Sequence, residues 1–193
     1  ARGYQLEAVA DCLGAPTLLV LPTALGKTPI EWMVIAERLE VHGGRALMIA
    51  PTNALVAQHL DDLKEALVIE GGADAIVSMT GSIDWRRRAK RWDSALVIVA
   101  TPQVIRNDVQ RGSISLADVS VLIVDEAHHA TGNHASAEVG DLYLQFAENQ
   151  LVLGATASPG STVEQVEEIC RRLGLRRIHT RKADESMLAP YAA

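Results

Sequence analysis

Residues 17–28 read TLLVLPTALGKT, an apolar run that breaks at Pro22 and turns polar at Lys27 and Thr28. Residues 17–21 are short and apolar on both faces, which suits a strand covered by helices on either side. From about residue 29 the apolar positions recur with helical spacing. The loop between follows G-x-x-x-x-G-K-[ST], a turn whose backbone N–H groups wrap a phosphate and whose exit feeds a helix. Leu21 stands at the first glycine of that pattern and Ala24 in mid-loop, while Gly26, Lys27 and Thr28 keep its chemical end. A strand, a phosphate loop and a helix in succession open a parallel α/β sheet.

The remainder of the chain repeats this unit. Strands are expected at 17–21, 45–50, 74–79, 95–100, 121–124, 150–154 and 176–179. Helices are expected at about 29–41, 53–69, 82–92, 102–111, 135–148 and 161–173. Runs such as LMIA, LVIVA and VLIV show no polar alternation, as in strands buried on both faces. The expectation is therefore an α/β fold, a doubly wound parallel β-sheet sandwiched by helices. No internal repeat and no long linker divides the chain. Ligands of such sheets sit beyond the carboxyl ends of the strands. The polar signatures gather there: PTALGKT, PTNALVAQ, TPQ and DEAHH after the first, second, fourth and fifth strands, and ATASPG at the sixth.

At 193 residues the chain fits one large domain with a substantial core. Aromatic residues are only 4% against 48% hydrophobic overall, so the core must be built from Ala, Val, Leu and Ile. Cys12 and Cys170 lack metal-like spacing and read as small core residues in a reducing compartment. No run reaches the ~18 apolar residues of a membrane span, and no signal peptide opens the chain. The expected location is cytoplasmic, or nuclear in a eukaryote, with no membrane partner. A first residue of Ala rather than Met reads as a piece of something longer. The net charge of −6 gives no overall pull on a polyanion, so any nucleic acid must be held by a local patch.

Lys27 and Thr28 carry the demanding chemistry of the opening loop. A lysine there neutralises the β- and γ-phosphates of a nucleoside triphosphate, and the threonine hydroxyl ligates Mg²⁺. Pro29 suits a helix start, where its missing N–H costs nothing. The fifth strand supplies a counterpart: VLIVDEAH ends an apolar run in Asp125, a carboxylate placed to hold Mg²⁺. Glu126 follows and is placed to activate a water. An ordinary turn containing GKT, or two acids capping a strand, is the plainer explanation of either stretch alone. Two halves of one Mg²⁺–phosphate site, both at strand ends and in the right order, outweigh it.

PTALGKT, APTNALVAQH, TPQVIRND, DEAHH and TASPG, in this order, resemble the first RecA-like domain of superfamily 2 helicases over almost the whole chain. ATPQVIRND, DEAHHATGNHA, LGATASPG and the tail ADESMLAPY resemble the archaeal Hef and Fanconi anaemia M branch. A more distant similarity links the chain to Dicer and RIG-I-like RNA sensors. The resemblance implies a helicase ATP-binding domain of RecA-like P-loop form over 1–193. It implies ATP and Mg²⁺ as ligands, held by Pro22, Thr23, Ala24, Leu25, Gly26, Lys27 and Thr28 together with Asp125. Arg2, Tyr4 and Gln5 resemble the upstream element that reads adenine, and a glutamine amide meets both the donor and the acceptor of that base edge. Related loops carry glycine where Ala24 stands. If the position needs a positive φ, alanine costs about 1–2 kcal/mol there.

The same resemblance assigns Glu126, Lys27 and His128 to catalysis, and Thr156 and Ser158 to coupling nucleotide state with nucleic-acid grip. Thr52, Gly81, Thr101 and Gln103 fall to the nucleic-acid backbone, without base reading. His129 departs from the branch, where arginine is commoner. The trio His128, His129 and His134 has no cysteine and no standard zinc spacing, so Mg²⁺ is the expected metal. DWRRRAKRW packs five of the 18 basic residues into positions 86–91. Its helical spacing favours burial of Trp85 and Trp92, with the arginines on a solvated face that contributes modestly to binding.

The function expected is the N-terminal ATPase half of a DNA helicase or translocase acting on branched or single-stranded DNA. The second RecA-like domain, which in the family supplies an arginine finger worth on the order of 10³–10⁵ in rate, is absent from these residues. Slow turnover is expected of them alone. An RNA-directed ATPase and a non-hydrolysing nucleotide-binding module are the alternatives.

Overall fold

The computed structural model describes residues 3–22 and 27–180, the side chains of Lys27 and Thr28 excepted. Seven strands form one sheet: β1 (Thr17–Val20), β2 (Arg45–Ile49), β3 (Ile76–Met79), β4 (Val97–Ala100), β5 (Val119–Asp125), β6 (Val152–Thr156) and β7 (Arg177–Thr180). Their order is β3-β4-β2-β5-β6-β1-β7, and every pairing is parallel. The helices are α1 (Gly3–Gly14), α2 (Lys27–His42), α3 (Asn53–Ala66), α4 (Trp85–Ser94), α5 (Pro102–Arg111), α6 (Ala135–Phe146) and α7 (Val163–Leu173). A doubly wound parallel sheet sandwiched by helices is the expected architecture.

The period-two alternation of side chains divides the core into two layers. Leu19 of β1 and Leu21 just beyond it, with Ala46, Met48, Val121 and Ile123, meet Ala8 and Cys12 of α1, Ile30, Val34 and Ile35 of α2, and Val56 and Leu63 of α3. Leu18, Val20, Leu47, Ile49, Leu122 and Val124 face the other way, onto Trp92, Val104, Ile105, Tyr143 and Ile169 of α4 to α7. Burying each such aliphatic side chain is worth roughly 1.5–3 kcal/mol, which explains how the core manages with few aromatics. The single Phe146 is left half exposed. Cys12 lies in this core, where burial, and after it Asp11, pushes its thiol up to about 12; Cys170 is also a free thiol. Both are packing residues.

Among the departures from the expected bounds and elements, three bear on the layout. A 3₁₀ turn, Gly72–Ala75, replaces the first residues of the third strand, because Gly71 turns the chain at φ 83°. The fifth strand begins at Val119, since Ser120 is 2% exposed despite its hydroxyl and its carbonyl accepts from Arg38 Nε at 2.9 Å. Helix α1 precedes the first strand and packs against α2, an element the expected helices omit.

Among the described residues no helix is long and apolar enough to cross a membrane.

Candidate functional site

The sheet order places β6 alone between β1 and β5. Two strand spacings are about 10 Å, so the loop leaving β1 and the acids ending β5 share one stretch of the carboxyl edge. Register agrees: Val20 pairs with Thr156, and Asp125 pairs with Ala155. Leu21 extends the ladder, donating its N–H to the Thr156 carbonyl at 3.2 Å. Thr23, Ala24, Leu25, Gly26 and Arg2 lie outside the described residues. Helix α2 opens at Lys27, so the backbone of Lys27 and Thr28 forms a helix N-terminus at this edge, where N–H groups and dipole favour an anion. Gln5, at the start of α1, is 7% exposed.

Asp125 closes β5 at 8% exposure, and His59 Nε2 donates to its Oδ2 at 2.8 Å. Burial alone would lower the His59 pKa. The hydrogen bond to Asp125 and the carboxylates of Glu31, Asp125 and Asp62 outweigh it, and the net shift is upward. The chain then turns sharply. Glu126 sits at φ 50°, ψ 50°, the sole non-glycine with positive φ among the described residues. Such strain costs on the order of 1–3 kcal/mol and concentrates at functional sites. It folds Ala127–His129 into a single 3₁₀ turn, closed by His129 N–H to Glu126 C=O at 3.0 Å. Gly154 lets this turn sit close on β6, because a Cβ there would come within 3.1 Å of Ala127 Cβ.

The turn aims its side chains at β6. His128 Nδ1 lies 2.9 Å from Thr156 Oγ1, which also lies 3.1 Å from the Ser158 carbonyl and 3.2 Å from the Ser158 N–H. One arrangement satisfies all three contacts: Thr156 donates to the Ser158 carbonyl and accepts from His128 Nδ1–H and Ser158 N–H. These contacts join the DEAH turn and the TAS element in one hydrogen-bond hub. A cleft of about 530 Å³ opens beside it, lined by Glu126, His128, Thr131, Ala157, Ser158 and Gln165 among others.

Glu126, His128 and His129 bring three ligand atoms within 4.8 Å of one another, and His129 Nε2 lies 3.4 Å from Glu126 Oε2. His134 stands apart from them as a ligand, since its Nδ1 caps α6 by accepting from Ser136 N at 3.1 Å. Asp125 and Glu126 offer hard carboxylate oxygens, the ligand chemistry that suits Mg²⁺, and the side chain of Thr28 lies outside the described residues.

The nucleic-acid candidates occupy the other half of the same edge, on the adjacent strands β3, β4 and β2. Thr52 is exposed and caps α3, accepting from Leu55 N at 3.2 Å while keeping its own hydrogen to donate. Gly81 is exposed and a Cβ there would meet nothing within 4 Å, so the fold itself does not require glycine. Gln103 is exposed on the first turn of α5. Thr101 is 7% exposed as a residue and its side chain makes no cap bond to α5, unlike that of Thr52 on α3.

The basic run also departs from its expected arrangement. Trp92 is buried as expected, but Trp85 is only partly buried, with the Arg86 and Arg111 guanidinium groups 4.4 and 4.7 Å from its ring centroid. Arg88 is buried and grips Asp108 through two bonds of 2.8 and 2.7 Å. Arg91 bonds the Ser78 carbonyl at 2.9 Å. Two of the five cations therefore brace α4 against its neighbours. The sequence does not single out His59 or Asp108, and it marks Arg88 only as one of a basic run, because their partners lie 66 and 20 positions away.

Comparison with known proteins agrees with this layout. Residues 2–166 match the family described as DEAD/DEAH box helicase. A Methanocaldococcus jannaschii protein, provisionally named an ATP-dependent RNA helicase, is 42% identical over all of this chain, which covers 24% of that protein. The Fanconi anemia group M protein of Gallus gallus is 36% identical over 99% of the chain and 9% of its own length. The crystal structure of the Pyrococcus furiosus Hef helicase domain superposes with a TM-score of 0.92 at 43% identity, covering 100% of this chain and 41% of that one. The chain thus spans about a quarter or less of these two curated relatives.

Proposed function

The chain belongs to the DEAD/DEAH box helicase family, and on that premise we propose that it is the ATP-binding half of a DNA helicase or translocase. The observation that carries the reading is the Asp125–Glu126 turn, bonded through His128 to Thr156 and separated from β1 by β6 alone. In this reading Lys27 neutralises the β- and γ-phosphates, while Thr28 and Asp125 hold Mg²⁺, which when bound offsets charge building on the transferred phosphoryl group. Glu126 orients a water and takes its proton. Thr23, Ala24, Leu25 and Gly26 wrap the phosphates with backbone N–H groups, and Arg2 and Gln5 hold the adenine.

Thr52, Gly81 and Thr101, just beyond the carboxyl ends of β2, β3 and β4, and Gln103 on α5 meet a nucleic-acid backbone. Thr156 and Ser158 join the two halves through the His128 hub. A second RecA-like lobe supplies the remaining catalytic charge. Relatives named as DNA helicases, among them the Pyricularia oryzae ATP-dependent DNA helicase, favour DNA as substrate. The Methanocaldococcus name favours RNA, the second reading. ATP hydrolysis by the complete protein, measured with forked DNA and with double-stranded RNA, separates them. Stimulation by forked DNA, lost in Glu126→Gln, supports the first. Stimulation by RNA alone replaces it with the second, and hydrolysis indifferent to Glu126→Gln removes both.

A further inference from the structure

We propose that His59 is a positioning residue for the magnesium-facing carboxylate of Asp125, so that helix α3 ties the nucleic-acid half of the sheet edge to its nucleotide half. This rests on the reading of Asp125 as a magnesium ligand. Strand β2 is the seam: its neighbours are β4 on one side and β5 on the other. Helix α3 leaves the carboxyl end of β2, begins at the exposed cap Thr52, and reaches His59 seven residues later, about 10 Å along the axis. There the ring crosses the seam and donates Nε2–H to Asp125 Oδ2 at 2.8 Å, with side chains only 12% and 8% exposed.

A bond of this kind does more than fill space. The carboxylate torsion of aspartate is broad on its own. A short, charge-assisted hydrogen bond on one oxygen fixes the plane of the group and the direction of its remaining lone pairs. Partners of metal ligands typically contribute 10–100-fold to metal affinity by this route. A buried histidine that merely packed beside an acid would contribute to folding and leave the metal requirement unchanged.

The test uses the full chain and a fluorescent, non-hydrolysable ATP analogue (mant-AMPPNP) titrated in EDTA and across a MgCl₂ series. His59→Leu is expected to raise the Mg²⁺ concentration for half-maximal tightening about tenfold, while affinity in EDTA stays within about twofold. His59→Gln, whose amide N–H can reach the same oxygen, is expected to recover to within about threefold of the original. An unchanged Mg²⁺ requirement in His59→Leu overturns the proposal, as does an equal shift in both variants. If His59→Leu does not fold, His59→Asn, too short to span the contact, takes its place with the same two outcomes. Asp125→Asn separates the premises. If it raises the Mg²⁺ requirement and His59→Leu does not, only the positioning role falls. If it changes nothing, the assignment of Asp125 falls with it.

Discussion

Glu126 occupies backbone space that glutamate avoids, and the turn it makes is what carries His128 to Thr156. Strain of this kind predicts opposed effects on stability and chemistry. Glu126→Gly should raise folding stability by about 0.5–1 kcal/mol, the left-handed penalty less the entropy of glycine, readable as a higher melting temperature. Glu126→Gln should leave stability within about 0.5 kcal/mol yet lower hydrolysis by the complete protein at least about 100-fold, the usual weight of a general base. Nucleotide binding by Glu126→Gln should persist, which a direct titration checks. At Gly81 the logic reverses. Nothing within 4 Å opposes a Cβ there, so Gly81→Ala should leave the melting temperature unchanged or slightly raised. Weaker binding of single-stranded DNA by this variant would show that the space belongs to a ligand; unchanged binding would count against a close approach at this point.

Two elements rest on polar contacts that local sequence does not announce. Asp108 is fully buried and holds the buried Arg88 by two bonds. Asp108→Ala would strand that guanidinium, and an unfolding titration should show a loss of about 3–5 kcal/mol. Helix α6 is capped by the neutral form of His134, whose Nδ1 accepts from Ser136 N. Burial lowers the His134 pKa, and the nearby His129 and His128 add to the effect. Its folded pKa is therefore below its unfolded one, so its contribution is fully present above the unfolded value and is lost as pH falls through the folded one. Protonation removes the acceptor and puts a cation at a helix N-terminus. His134→Asn, a standard cap without a titratable group, should flatten the acid limb of the stability profile, as urea titrations between pH 7 and 5 would show. The central strands were legible from sequence because burial on both faces erases alternation, and TLLV, ALMI and VLIV show it plainly. Ser120 hid the start of β5, since a hydroxyl reads as exposed until its neighbours are known. Arg88 hid inside RRR for the same reason: composition marks a basic run as solvated, and only the packing of α4 on α5 reveals which member turns inward.

On the proposed reading the carboxyl edge of one sheet divides its work by strand order. The strands β5, β6 and β1 gather the nucleotide signatures, and β3, β4 and β2 gather the nucleic-acid ones. The motifs were readable one by one, but their neighbourhoods follow from the crossovers, and the contact between His59 and Asp125 across the seam follows from neither motif alone. On the proposed reading, with a net charge of −6 and uncharged edge contacts at Thr52, Gly81 and Gln103, binding to DNA should fall only shallowly with salt. The division stands or falls with one site at its centre. A crystal structure of the chain with Mg²⁺ and a non-hydrolysable ATP analogue would measure it directly. The expected result is a triphosphate between the Lys27 ammonium and the Asp125 carboxylate, with Mg²⁺ about 2.0–2.1 Å from its oxygen ligands. A nucleotide seated elsewhere, with Asp125 remote from its phosphates, would contradict the account.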